Sequence, residues 1–308
     1  MTIDELNVLS ASGEMDEFIR VAEARQVKAL SQVADCVCAR GGVRLVLLAG
    51  ASSAGKTTTA KRLSTQLRVN ERAALHLSTD DYFVGDARNP RDENGELDYE
   101  HVDCVDKVRL AEDMNRLFAG EKIRRRRFDF VKHAPFDSEE QLTLPAGGIV
   151  VIEGIHALNP VLTAGIDDAA KFRLFIEPKP ELGLFLSPCL SAADNRLLRR
   201  LVRDNQFRQL SPLDTFRLWP KVLAGEEKWI KPFAPLADAV FDSSLAYELA
   251  VLRPYVEGLL ERVVQKEPQH EKATVLLKLL RMVEPFSPAT VPGDSILRET
   301  IGGSQLEY

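Results

Sequence analysis

Apolar positions change period several times along this chain, and the changes outline its elements. Met15, Phe18, Ile19, Ala22, Gln26, Ala29, Leu30, Val33 and Val37 fall mostly at helical spacing, which predicts one amphipathic helix over 14–39, ended by Gly41-Gly42. Val43 to Ala49 is a continuous apolar run, as a buried parallel strand requires. A glycine-rich turn and a helix to about Leu67 follow, then a strand from Ala73 to Thr79. Residues 85–98, rich in Gly, Pro, Asn and Asp, read as an exposed loop. A helix from Asp103 to Phe118 leads to a small β excursion, with strands at Ile123–Val131 and Gln141–Leu144. Gly148–Glu153 and Phe172–Ile176 are further buried strands. Helices at Ala192–Asp204 and Leu213–Leu223, a strand at Ala239–Phe241, and helices at Tyr247–Val264 and Glu271–Val283 complete the pattern, before a tail containing Pro and Gly.

Strands alternating with helices predict an α/β fold, a doubly wound and mostly parallel sheet with helices on both faces. The expected organisation is an N-terminal helix (1–42), a main domain (43–265) and a helical C-terminal extension with a tail (266–308). Neither a repeat nor a low-complexity tract interrupts it.

Composition narrows the class. The 308 residues are 45% hydrophobic and 28% charged, ordinary for a soluble globular protein and unlike collagenous, disordered or disulfide-framework chains. A net charge of −6 argues against a nucleic-acid partner, and the run Arg124–Arg127 is weak evidence to the contrary. The four cysteines, Cys36, Cys38, Cys104 and Cys189, match no zinc-knuckle spacing, and residues two apart on a helix point away from each other. The N-terminus is acidic where a secretory signal is basic and then apolar, and no apolar run reaches the ~18 residues of a membrane span. These features lead us to expect a cytoplasmic protein with no membrane partner; they leave self-association into a homo-oligomer open.

The strongest chemical signal is Gly50-Ala51-Ser52-Ser53-Ala54-Gly55-Lys56-Thr57, a full G-x-x-x-x-G-K-[ST] continued by Thr58. Its glycines let the backbone curl so that N–H groups face phosphate oxygens, and the following helix adds its positive end. Lys56 can reach the β- and γ-phosphates, and the Thr57 hydroxyl can hold Mg²⁺. The motif joins a predicted strand to a predicted helix, its required context, and implies a nucleoside triphosphate, ATP, with Mg²⁺. A guanine-reading Asn-Lys-x-Asp and a transporter Leu-Ser-Gly-Gly are both missing from the sequence.

Acids close two predicted strands: Asp80 with Asp81, and Glu153. The carboxyl ends of parallel strands face the ligand crevice, where such groups coordinate Mg²⁺ or accept a hydroxyl proton; ordinary strand-end polarity is the competing reading. Arg196, Arg199, Arg200 and Arg203 include pairs three and four apart on a predicted helix. They form either a solvated basic face or an arginine lid over transferring phosphate, with Arg199 and Arg203 preferred for that role over Arg200. Phe128 and Phe130, two apart on a strand, share a face and either stack on a planar base or pack in the core.

Taken in order, several segments resemble the uridine kinase and phosphoribulokinase family. They are Ser78-Thr79-Asp80-Asp81-Tyr82-Phe83, Pro90-Arg91-Asp92-Glu93-Asn94-Gly95, Phe128-Asp129-Phe130 and Ile152-Glu153-Gly154-Ile155, then the run from Arg196 to Asp204. Gly225–Phe233 and Ile296–Ser304 are similar to a bacterial uridine kinase-like branch, so that the likeness spans roughly 43–305. The resemblance implies a P-loop kinase that phosphorylates a nucleoside 5′-hydroxyl, that of uridine or cytidine. It implies Asp80 as general base close to the metal, with Asp81 one residue away as the competitor, and Thr57 with Glu153 at the metal site. It also implies that Tyr99, Glu100, Phe128, Phe130 and His133 hold the nucleoside, that Arg196 lies on the substrate side, and that Arg199 and Arg203 act from a lid at about 192–210. Phe128 stands where such kinases carry a tyrosine, and Glu100 where they carry an aspartate. Another small alcohol, such as a sugar phosphate or a pantothenate-like molecule, is the alternative acceptor. A non-catalytic ATP-bound module is the alternative class.

Overall fold

The computed structural model describes residues 1–129, 131–179, 190–263 and 269–307. In chain order its elements are α1 (Ile3–Ser12), α2 (Met15–Ala39), β1 (Leu45–Gly50), α3 (Lys56–Val69), β2 (Ala74–Ser78), α4 (Lys107–Phe118), β3 (Ile123–Asp129) and β4 (Ala134–Leu142). They continue with β5 (Ile149–Glu153), β6 (Lys171–Glu177), α5 (Ala192–Phe207), α6 (Pro212–Gly225), β7 (Ala239–Asp242), α7 (Glu248–Glu261), α8 (His270–Arg281) and the single turn α9 (Arg298–Ile301).

The main sheet has strand order β2-β5-β1-β6-β7, with every pairing parallel. β1 is central and buried throughout, and its alternate side chains enter two different cores. Leu45, Leu47 and Ala49 face a core shared with α4 and the β3–β4 hairpin, whereas Val46 and Leu48 face one shared with α2 and α3. This two-sided burial is why the strand reads as an unbroken apolar run. The expected doubly wound α/β sheet is present, and its carboxyl edge carries Gly50, Ser78 and Glu153 in adjacent strands.

A third core is helical. It gathers Ile3 and Leu6 of α1 and Met15 and Ile19 of α2 with α5, α6, α7, α8 and Leu297 and Ile301 near the C-terminus. α2 thus spans two cores, its first half in this one and Leu30, Ala34 and Val37 against the sheet.

Three expectations change. The N-terminal region holds two helices instead of one: a capping box, in which Thr2 and Glu5 exchange hydrogen bonds, starts α1, and left-handed Gly13 ends it. The second strand of the excursion begins at Ala134 and not Gln141, because its exposed, charged residues are held by backbone pairing to β3 and not by burial. Finally, 192–210 is not a peripheral lid. Leu197, Leu198, Leu201 and Val202 of α5 are fully buried in the helical core.

Candidate active site

The loop between β1 and α3 leaves the sheet at Gly50, whose Cβ, if it had one, would collide with the Ile176 carbonyl of β6. Gly55 lies at φ +85°, and Ser53 also takes a left-handed conformation (φ 60°), which a non-glycine residue adopts only when its surroundings enforce it. Ser53 and Ala54 are buried within the loop. Lys56 folds back over it, donating from Nζ to the Ala51 carbonyl at 3.1 Å. Burial lowers the Lys56 pKa, while Glu153, Asp80 and Glu299 oppose that shift.

Beside the loop, Thr57 Oγ1 donates to Glu153 Oε1 at 3.0 Å, and Glu153 also accepts from Ser78. Burial raises the Glu153 pKa and the charge of Asp80 raises it further, so these carboxylates are close enough to repel. A hydroxyl and two carboxylates are hard oxygen donors of the kind Mg²⁺ takes. Among the described residues no group of three or more His, Cys, Asp or Glu forms a complete metal cage. Asp80 itself opens a 3₁₀ turn (Thr79–Tyr82), its N–H held by Ser78 Oγ at 3.3 Å. Asp81 points to a different partner, Arg127, at 3.7 Å, and burial pushes its pKa up to about 6.

The arginines of α5 divide in a way spacing alone did not reveal. Arg196 donates to the Ser52 carbonyl at 3.3 Å and pairs with Glu226. Arg200 donates to Ser52 Oγ at 2.9 Å and to Asp204 at 3.1 Å. Arg203 makes two bonds to Asp204 Oδ1, and its charge reaches Lys56. Arg208, half-exposed just past the end of α5, has its pKa lowered to about 10, chiefly by the charge of Arg203. Arg199 faces the other way. It is 1% exposed and donates to Glu248 and to the Ser243 carbonyl, so its expected place in a lid is corrected to a buried structural ion pair. Arg200, which the sequence reading ranked below Arg199 and Arg203, bonds to the loop directly. The available signal was Arg200 at i+4 from Arg196.

Across the crevice, the side chain of Glu100 has its pKa pushed up to about 7 by burial, against the charges of Arg200 and Lys56. The Tyr99 hydroxyl donates to Asp86, and His133 Nδ1 lies 2.8 Å from that hydroxyl and 3.2 Å from Asp86. Phe83 packs 6.1 Å from Tyr99 and edge-on to Phe128 at 5.5 Å. Phe128 is 7% exposed within the sheet's core, which makes it a wall behind these groups instead of an open stacking face. Phe130 lies outside the described residues. Asp86 was not anticipated; it sits in the loop whose composition signalled only exposure.

A family model described as the phosphoribulokinase / uridine kinase family matches residues 45–249. The chain belongs to this family. Among its relatives is a uridine kinase of Halobacterium salinarum, 26% identical over 223 residues that cover 71% of this chain and 86% of the relative. A uridine kinase of Deinococcus deserti is 28% identical over 165 residues, 54% of this chain and 70% of the relative. A solved structure of a possible uridine kinase from Bacillus stearothermophilus aligns with a TM-score of 0.48 at 18% identity, covering 71% of this chain and all (100%) of the other. The family match takes in every site residue described above except Glu299. Among the described residues, no helix is long and apolar enough to cross a membrane.

Proposed function

We propose that this protein transfers the γ-phosphoryl group of ATP to the 5′-hydroxyl of a pyrimidine nucleoside, uridine or cytidine. The observation that carries the reading is the position of Asp80. Its charge acts on Lys56 and Glu153 on the nucleotide side, and on Glu100 and Cys104, beside Tyr99, on the other. A base placed there can take the proton of an acceptor hydroxyl as the phosphoryl group arrives.

Geometry supports the remaining roles. The loop amides and Lys56 hold the β- and γ-oxygens, and Arg200 and Arg203 bring positive charge to the same loop; phosphoryl transfer draws mainly on such positioning and electrostatics. Thr57, Glu153 and Asp80 would hold Mg²⁺, which when bound neutralises charge on the phosphates. Tyr99, Asp86 and His133 offer a polar edge to a ribose or base, and Arg196 fixes the loop from behind through Ser52.

One observation favours a second acceptor class. Lys61, Arg125 and Arg127 gather around His76, and Arg127 pairs with Asp81, which suits an acceptor carrying its own phosphate. The deciding experiment is Mg²⁺-dependent ADP release against uridine, cytidine, purine nucleosides, ribulose 5-phosphate, pantothenate and no acceptor. Turnover with uridine or cytidine that disappears in Asp80→Asn supports the reading. Turnover only with a sugar phosphate moves it to the second class. ATP binding without acceptor-stimulated turnover refutes both.

A further inference from the structure

We infer that the C-terminal segment 291–305 is part of the triphosphate site, and that Glu299 is a positioning residue that sets the P-loop through Thr58. The inference rests on reading that loop as an ATP site, and extends it to a stretch of chain far from the motif.

Three threonines follow Lys56 and form the first turn of α3, and each hydroxyl has a definite partner. Thr57 donates to Glu153 at the strand end, and Thr59 to the Gly55 carbonyl at 2.7 Å. Thr58 donates to Glu299 Oε2 at 2.8 Å, across 241 residues of sequence. The amides of this turn are the donors a phosphate would meet, so whatever fixes the turn fixes their aim. Thr58 is fully buried where Glu299 meets it, and the Glu299 charge also acts on Lys56 and Glu153. A carboxylate at this helix end is also favoured by the helix dipole.

Packing reinforces the bond. Ile296, 1% exposed, lies directly against Gly55, and a Cβ at Gly55 would overlap its Cγ2. The glycine therefore serves both a left-handed turn and the seating of the tail. The tail is itself braced: Arg298 donates to the carbonyls of Pro288, Val291 and Gly302, and Gln305 N–H donates to the Gly293 carbonyl. It meets α3 a second time through Ser295, whose hydroxyl donates to Glu23, the partner of Arg62 on α3. Two anchor points one turn apart hold the helix and its leading loop in a single orientation.

The test is equilibrium titration of the full chain with MgADP, which needs no knowledge of the acceptor. Glu299→Ala is expected to weaken MgADP binding about tenfold, the cost of one charge-assisted hydrogen bond. Thr58→Val is expected to match it, and the double variant to lose no more than either single one, because both remove the same bond. Glu299→Gln keeps an acceptor oxygen and restores most of the affinity. If Glu299→Ala does not fold, Glu299→Asp, one methylene short, makes the same comparison. Wild-type affinity in Glu299→Ala or Glu299→Asp overturns the inference, provided that Lys56→Met has lost MgADP. So do additive losses in the pair, or a Glu299→Gln as weak as Glu299→Ala. Undiminished binding in Lys56→Met overturns the ATP-site reading itself, and the inference with it.

Discussion

Replacing Arg199 and replacing Arg200, adjacent residues of one helix, should fail in opposite ways. Arg199 contacts Glu248 through Nε at 2.8 Å and Nη2 at 2.6 Å, and both side chains are 2% exposed. Among the described residues, Arg199→Met leaves the buried Glu248 side chain with only Asn195 as a neutral partner. Stranding one member of a buried pair costs about 3–5 kcal/mol. At roughly 2 °C per kcal/mol for a chain of this size, Tm falls by about 6–10 °C. The double variant Arg199→Met/Glu248→Leu removes both charges and should recover much of that loss. Arg200→Ala instead removes a contact to Ser52 Oγ and leaves Asp204 still bonded twice by Arg203. Its Tm should change far less, while kcat falls about 10²–10³-fold, the scale of losing one preorganised charge at a phosphate. Thermal melts and acceptor-dependent ADP release on the same preparations separate the two. An Arg199→Met protein with wild-type Tm and kcat lowered a hundredfold or more would refute the assignment of Arg199 to structure.

Three further outcomes can be checked with the same assays. Asp80→Asn should lose about 10²–10⁴-fold in turnover, the contribution of a general base, and should also raise the Mg²⁺ concentration that nucleotide binding needs, because the same carboxylate faces the metal site. Gly154→Ala should lower turnover about 10²-fold with a smaller effect on nucleotide affinity. The new Cβ meets the Thr79 side chain and shifts the turn that carries Asp80. Acid stability should depend on His76, whose pKa burial lowers to about 3 from an ordinary 6.5. The folded state then binds fewer protons than the unfolded one, so the contribution is complete above pH 6.5 and is lost as pH falls toward 3. Between pH 7 and 5 the loss is up to about 2 kcal/mol, and His76→Asn should remove that share of the shift in urea midpoint.

What could be read in the sequence was local. The loop from Gly50 to Thr57 announces itself because glycine spacing and the strand before it are written in consecutive residues. β1 and β5 were legible because burial on both faces leaves them apolar up to their carboxyl ends, where Gly50 and Glu153 stand. The division among the α5 arginines was not, since Arg199 and Arg200 differ only in what tertiary structure brings to them: Glu248 for one, Ser52 for the other. β4 was cut short because its first residues are charged and exposed, so pairing shapes it where patterning cannot. α1 had a usable signal in Thr2-x-x-Glu5, followed by Leu6 and Leu9 at helical spacing from Ile3. Tyr99 and His133 were anticipated from resemblance, whereas Asp86, which joins them, follows only from how the loop folds back.

The helical core has a consequence for how the molecule is made. Ile3, Leu6, Met15 and Ile19 are covered by side chains drawn from α5 through Ile301. A ribosome translates those first helices long before it reaches the residues that shelter them. Their apolar faces stay without these partners until the chain has been made as far as Ile301, so this part cannot complete its packing as it emerges. Assembly of this protein therefore comes late, when its opening and closing segments meet.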